Sequence, residues 1–274
     1  MTTRDADEPS GLERALPLLR IVLPLAICVL VLGAWEYVVV ARGIPPYILP
    51  APSLIARTLV ADWPTLYPSL LVTLRLTFLA LAAAVVGGVG LAILFAQSRL
   101  IELSLFPYAV MLQVTPVISI APLIIIYVDN TTAALLICAW IVAFFPILAN
   151  TTLGLNSADH NLINLFQLYG ASRWQILWNL RLPAAMPYFL GGLRIAGGLS
   201  LIGAVVAEFA AGAGGTATGL AFRILEAGYR LQIPRMFAAL ILISAAGILI
   251  FLLFTAISHL ALRHWHESAL KREQ

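Results

Sequence analysis

Residues 165–183 read LFQLYGASRWQILWNLRLP and lie between two long apolar runs. Leu162, Leu165, Phe166 and Tyr169 recur at helical spacing and make one stripe. Asn161, Asn164 and Gln167 fall off that stripe. Gly170 then offers the left-handed position that ends helices. Ser172 with Gln175 has capping-box spacing, so a second short helix is expected to start there. Pro183 is expected to break the chain before the next apolar run. The reading is helix, glycine turn, helix, outside the bilayer. A surface helix lying on lipid and a docking element for a partner's groove fit the pattern equally.

The chain around it decides the class. Of 274 residues, 61% are hydrophobic and 11% charged. Soluble domains carry about twice that charged fraction. The chain is therefore expected to be an all-α integral membrane protein. Its net charge of +3 is divided among short loops, which points to lipid headgroups rather than nucleic acid. Cys28 and Cys138 both lie in apolar runs and read as small core residues. The mixed-charge start MTTRDADEPSGLER lacks a small-residue cleavage site, so the first apolar run is read as a retained helix.

A span needs about 20 apolar residues. Six candidates result, at about 21–40, 69–97, 107–128, 132–155, 183–212 and 236–262. Together they form one transmembrane domain over 21–262, with tails at 1–20 and 263–274 and the opening motif inside segment 156–182. Six spans put both termini on one side. With the N-terminus inside, Lys and Arg number nine in the inner segments and five in the outer ones, leaving Arg75 and Arg194 within spans. That bias favours cytoplasmic termini and a cytoplasmic motif. Among the outer segments, residues 42–68 are expected to hold a short amphipathic helix over Leu54–Asp62, capped by Ser53.

Polar groups inside spans are costly and face protein or water. Glu208 lies 25 residues past Pro183, roughly 37 Å at about 1.5 Å per residue, near the outer mouth. It reads either as a gate residue or as a structural partner of Arg223 or Arg230. Arg194 is expected to have a structural role, either snorkelling or bonding carbonyls of a neighbouring span. The third span carries Pro116 and Pro122, and helix disrupted by proline is tolerated where it lines a cavity. Gln113, Thr115 and Ser119 there, with Asn150 and Glu208, are the substrate-path candidates; interhelical hydrogen bonding is the alternative. Gly191, Gly192, Gly197 and Gly198 permit close helix approach.

The pattern Asn164-Leu165-Phe166, Gly170, then Leu180-x-Leu182-Pro183 resembles in spacing the cytoplasmic EAA motif of binding-protein-dependent ABC importer permeases. LPAPS (49–53), LQVTPVISIAPLIIIY (112–127), FFPILANTTLGL (144–155), YGASRWQ and LRLPAAMPYFLGGLRIAGGLS are similar to its nitrate/sulfonate/taurine branch. The likeness runs from about residue 44 onward. Two departures stand out: Asn-Leu-Phe replaces Glu-Ala-Ala, and Tyr127-Val128-Asp129 replaces the usual Trp-Phe-Gly.

The resemblance implies a type I importer permease fold in a bacterial inner membrane. It also implies a second permease copy, two cytoplasmic ATPases that bind the ATP and Mg, and an outer solute-binding protein. The coupling residues would be Leu162, Asn164, Leu165, Phe166, Tyr169, Gly170, Ala171, Ser172 and Pro183. The implied cargo is a nitrate-, sulfonate-, taurine- or bicarbonate-like anion or a small heterocycle. The residues agree on one point independently. A P-loop requires lysine on the phosphates, and the only lysine is Lys271 in the tail, so no cofactor or ATP site is expected in this chain. An ion-coupled secondary transporter would want ionisable relays near the midplane and inverted repeats, and neither is visible. An intramembrane enzyme would want His-Glu-x-x-His, paired Asp or Gly-x-Ser-x-Gly, all absent from the sequence.

Overall fold

The computed structural model describes residues 11–212 and 218–263, with side chains from Val22 onward. Lys271 and most of the glycine-rich stretch 213–219 lie outside the described residues. Among the described residues, five helices are long and apolar enough to cross a membrane: α1 (Gly11–Ala41), α3 (Trp63–Gln97), α6 (Thr131–Asn156), α9 (Leu182–Ala211) and α11 (Ile233–Leu262). Between them come α2 (Pro52–Ala61), α4 (Arg99–Val114), α5 (Val117–Tyr127), α7 (His160–Leu168), α8 (Arg173–Ile176) and α10 (Leu220–Tyr229).

The third span differs from expectation. It begins earlier than 107, as α4, and breaks at Thr115–Pro116, where α5 departs at 101°. Proline disfavours helix at the preceding residue. Thr115 is accordingly extended (ψ 123°), and its backbone N–H and Oγ1 both bond back to the Met111 carbonyl, closing α4. The bent pair still crosses. The start of α4 lines one pocket with α7, while the end of α5 feeds α6, whose 26 residues span about 39 Å back to α7 at about 1.5 Å per residue. Counted as one broken span, the pair brings the candidate crossings among the described residues to six.

Two further expectations need correction. Ser53 does not cap α2; Ala51 occupies that position without a side-chain bond. Ser53 instead donates through its backbone N–H (3.0 Å) and Oγ (2.6 Å) to Glu36 of α1. The Glu36 carboxyl thus serves a free N–H in the first turn of α2. Pro183 does not break the chain either. Residues Leu177–Arg181 form a π-helical turn, with the Leu182 N–H bonded to the Leu177 carbonyl, and Pro183 sits in the first turn of α9. An i−4 hydrogen bond from Pro183 is impossible, and the widened turn takes up that defect. The helix therefore continues from Arg173 to Ala211.

The core is the α3–α6–α9 packing, where Ala84, Ile147, Leu148, Leu155, Ala185 and Ala196 are buried. Gly192 makes the close approach possible: an added Cβ would lie 2.8 Å from Asn150 Cβ and 2.9 Å from the Pro146 carbonyl. Gly197 does the same against the Phe254 ring of α11, whereas Gly191 and Gly198 face open space. Helix α1 contributes little; most of its side chains from Val22 onward are exposed, Cys28 among them, while Cys138 is buried in α6. A second cluster, at the end opposite α7, joins Ile55, Leu66, Leu220 and Leu242.

Candidate functional site

At one end of the bundle, α7 begins at Asp159, whose side chain accepts from the Asn161 N–H (2.8 Å). It ends in a Schellman turn: the Gly170 N–H bonds the Gln167 carbonyl and the Ala171 N–H bonds the Phe166 carbonyl, both at 2.9 Å. Gly170 has φ +73°. The next helix opens on a capping box, with Gln175 N–H donating to Ser172 Oγ and Ser172 N–H to Gln175 Oε1. One end of the connection is fixed by backbone bonds and the other by the Ser172 and Gln175 side chains.

Nothing on α7 is buried. Leu162, Asn164 and Leu165 are exposed, Phe166 is half-buried, and Leu168 and Tyr169 are 84% and 83% exposed. A cleft of about 410 Å³ joins Leu165, Phe166, Tyr169, Gly170 and Ala171 with Gln175 and Asn179. Pro183 stays outside it, one helical step behind in α9. Leu168 is the exposed apolar residue that sequence reading missed; its position three after Leu165 was the available signal. Trp174 and Trp178 are also exposed, at 60% and 64%.

The second feature is a cavity of about 620 Å³ at the α4–α5 break. Gln113 and Thr115 line it with Pro116 and Val117, facing Pro146 of α6 and Gly203 of α9. Among the described residues, no charged side chain lines it. Three other sequence candidates lie elsewhere. Ser119 is exposed on α5 outside the cavity lining, and Asn150 Nδ2 donates within its own helix to the Pro146 carbonyl (2.8 Å).

Glu208 is buried (4% exposed) at the far end, where Thr73 Oγ1 (2.8 Å) and the Ala221 N–H (3.0 Å) donate to it. Neither Arg223 nor Arg230 is its partner: both pair with Glu226, and Arg223 Nε also donates to Ser69 Oγ. Thr73 Oγ1 in turn accepts the Leu220 N–H (2.9 Å), so α3 and α9 together hold the first turn of α10. Among the described residues the buried Arg194 Nε has no hydrogen-bond partner, so the carbonyl bond is not seen; the guanidinium lies 5.9 Å from the Phe251 ring centroid, a cation–π contact.

Residues 84–264 match the model of the binding-protein-dependent transport system inner membrane component. The chain is 31% identical to a probable ABC transporter permease protein of Haemophilus influenzae over 85% of this chain and 94% of that protein. It is 32% identical to the formylaminopyrimidine transport permease protein ThiX of Halalkalibacterium halodurans, covering 78% of this chain and 84% of that one. It is also 32% identical to the riboflavin transport system permease protein RibX of Chloroflexus aurantiacus, covering 87% and 88%. Permease proteins named for nitrate, taurine and aliphatic sulfonates match as well. A solved structure, described as an amino acid ABC transporter with histidines, superposes with TM-score 0.60 at 20% identity, covering 76% of this chain and 97% of that chain, which speaks for the fold. The five to six candidate spans and the matched residues agree: this chain belongs to the binding-protein-dependent transport system inner membrane components, the multi-pass permease subunits of ABC importers.

Proposed function

We propose that the α7–Gly170–α8 element is the surface on which a cytoplasmic ATPase drives this permease. The observation that carries the reading is a rigidly capped helix with no buried side chain. Its Leu162, Leu165, Leu168 and Tyr169 stand in solvent on one chain alone. An amphipathic helix of this kind is recognised by insertion into a groove. Asn164 leaves the element without an acidic contact, so apolar insertion bears the docking. The motor's ATP and Mg sites belong to the partner, because the one lysine, Lys271, stands in no P-loop pattern. The working assembly is two copies of this permease, two ATPases and an outer solute-binding protein, in the inner membrane with the α7 end and both termini in the cytoplasm.

The cargo that suits the cavity is a small neutral heterocycle. Gln113 and Thr115 supply hydrogen bonds, and no charged side chain stands ready to hold an anion. The relatives named for a formylaminopyrimidine and for riboflavin support this choice.

Gly170 gives the test. A Cβ there meets nothing within 4 Å, so substitution acts through φ alone. Gly170→Asn, which tolerates the left-handed region, is expected to keep ATPase co-purification; Gly170→Val is expected to insert normally and lose it. Wild-type transport and ATPase binding in Gly170→Val would refute the assignment. For the cargo, uptake of labelled pyrimidines or flavins is measured against nitrate and taurine, and uptake confined to the anions would refute the heterocycle.

A further inference from the structure

We propose that a pocket at the α7 end, between Arg99, Arg173 and Arg181, binds a phosphate group. The pocket holds about 460 Å³ and is lined also by Gln97, Ser98 and Gln167. It lies where the end of α3 and the start of α4 face α7 and α8. Among the described residues, no carboxylate lines it. Arg99 Nη1 pairs with Glu102 (2.8 Å), the one carboxylate bonded to any of the three arginines among the described residues. Arg173 makes a single long bond to the Gln97 carbonyl (3.5 Å). Arg181 Nη1 donates to the Ala96 carbonyl (2.8 Å), while its buried Nε has no partner.

A guanidinium carries five donors in a fixed fork that matches phosphate oxygens. Arg173 and Arg181 thus bring most of their donors to one space without spending them, and two positive charges there are uncompensated. A buried, unbonded N–H is costly. An anion accepting two or more of these bonds removes that cost.

The depth suits a phospholipid. Exposed Trp174 and Trp178 sit on the same segment, and such indoles mark the headgroup level. The phosphate of an anionic lipid at that depth would tie the α3–α4 turn to the base of the coupling element. A soluble phosphate offers the same chemistry, and the experiment separates the two.

The full-length chain, purified with its partners, is reconstituted in phosphatidylcholine nanodiscs with and without phosphatidylglycerol. Native mass spectrometry reads retained phosphatidylglycerol, and calorimetry in phosphatidylcholine-only discs reads inorganic phosphate binding. Arg173→Gln and Arg99→Gln are expected to lower affinity about tenfold each, with the loss deepened by salt. Arg57→Gln, an exposed arginine of α2 at the opposite end, serves as the control and should change nothing. Arg181→Gln is a third variant, and the first two keep the test valid if it misfolds. Retained phosphatidylglycerol that falls in the pocket variants assigns a lipid. Phosphate binding that falls in them while lipid retention stays constant assigns a soluble anion. Equal binding in wild type and both variants, or an equal loss in Arg57→Gln, overturns the proposal.

Discussion

Thr73→Val is the most informative single change outside the proposed coupling element. The substitution keeps the side-chain shape and removes one hydroxyl from a fully buried site. That hydroxyl donates to Glu208 Oε1 and accepts the Leu220 N–H. Valine leaves a carboxyl oxygen and a backbone N–H without these partners in a place water reaches poorly. Each buried unsatisfied group costs about 1–3 kcal/mol, and partial relaxation brings the pair to about 3 kcal/mol. The cost falls on the attachment of α10 to α3 and α9. At 1.4 kcal/mol per tenfold, opening of the α10 N-terminus should rise by roughly a hundredfold. Hydrogen–deuterium exchange of peptides covering 219–229 reads this directly, with peptides from α6 as internal reference. Thr73→Ser keeps the hydroxyl and should restore protection. If Thr73→Val leaves α10 exchange at wild-type rates, the hydroxyl does not hold α10 and the argument fails.

Three further outcomes are expected. Asp62 receives Arg235 Nε (2.6 Å) and Nη2 (2.9 Å), and this fork holds its carboxyl below the usual carboxylate range. A lowered folded-state value means the stabilisation is present above the unfolded value, about 4, and is lost as pH falls through the folded one. Melting curves in detergent should show it as about 1 kcal/mol after solvent screening, and Asp62→Asn should abolish that acid limb. Gly192→Val drives a Cβ into Asn150 and the Pro146 carbonyl, so overpacking should cost about 1–3 kcal/mol or more, read as a lower melting temperature with insertion intact. Gly219→Ala would place a Cβ on the Glu208 carboxyl and should loosen the same α10 contact that Thr73→Val loosens; additive exchange effects in the double variant would speak against one shared network.

What the sequence revealed follows the range of the interaction. Gly170 and the Ser172–Gln175 box were legible because both motifs close within a few residues of themselves. The Glu208 network was not, since Thr73 lies 135 residues away and no local pattern links them. The same holds for Glu36 and Ser53, 17 apart, where a free helix N–H found a carboxyl on another segment instead of its own cap. Prolines were visible but not their consequences. Pro68, Pro107, Pro122, Pro146 and Pro187 lie inside helices, while Pro116 marks a 101° break and Pro183 follows a π turn. A missing N–H is fixed by sequence; whether the chain kinks, widens or turns depends on what packs around it.

Two of the cavity's walls, those of α9 and of α4–α5, are joined to the α7–α8 element in different ways, and under the proposed coupling role that asymmetry bears on how transport is driven. One wall, through Leu199, Ile202 and Gly203, belongs to α9, which continues through the π turn to α8 without an interruption. The other wall, from Leu112 to Ile118, is divided by the extended Thr115. A displacement of the α7–α8 element should therefore carry the α9 wall with it, while the α4–α5 wall bends at its own joint. Spin labels at exposed positions distinguish this from motion of the whole bundle. The Trp174–Ile202 pair lies along the continuous helix and should keep its distance between nucleotide-free and nucleotide-bound complexes; the Ile118–Ile202 pair lies across the cavity and should not. A changed Trp174–Ile202 distance with a constant Ile118–Ile202 distance would place the hinge at the π turn instead, and would make α9 part of a fixed frame.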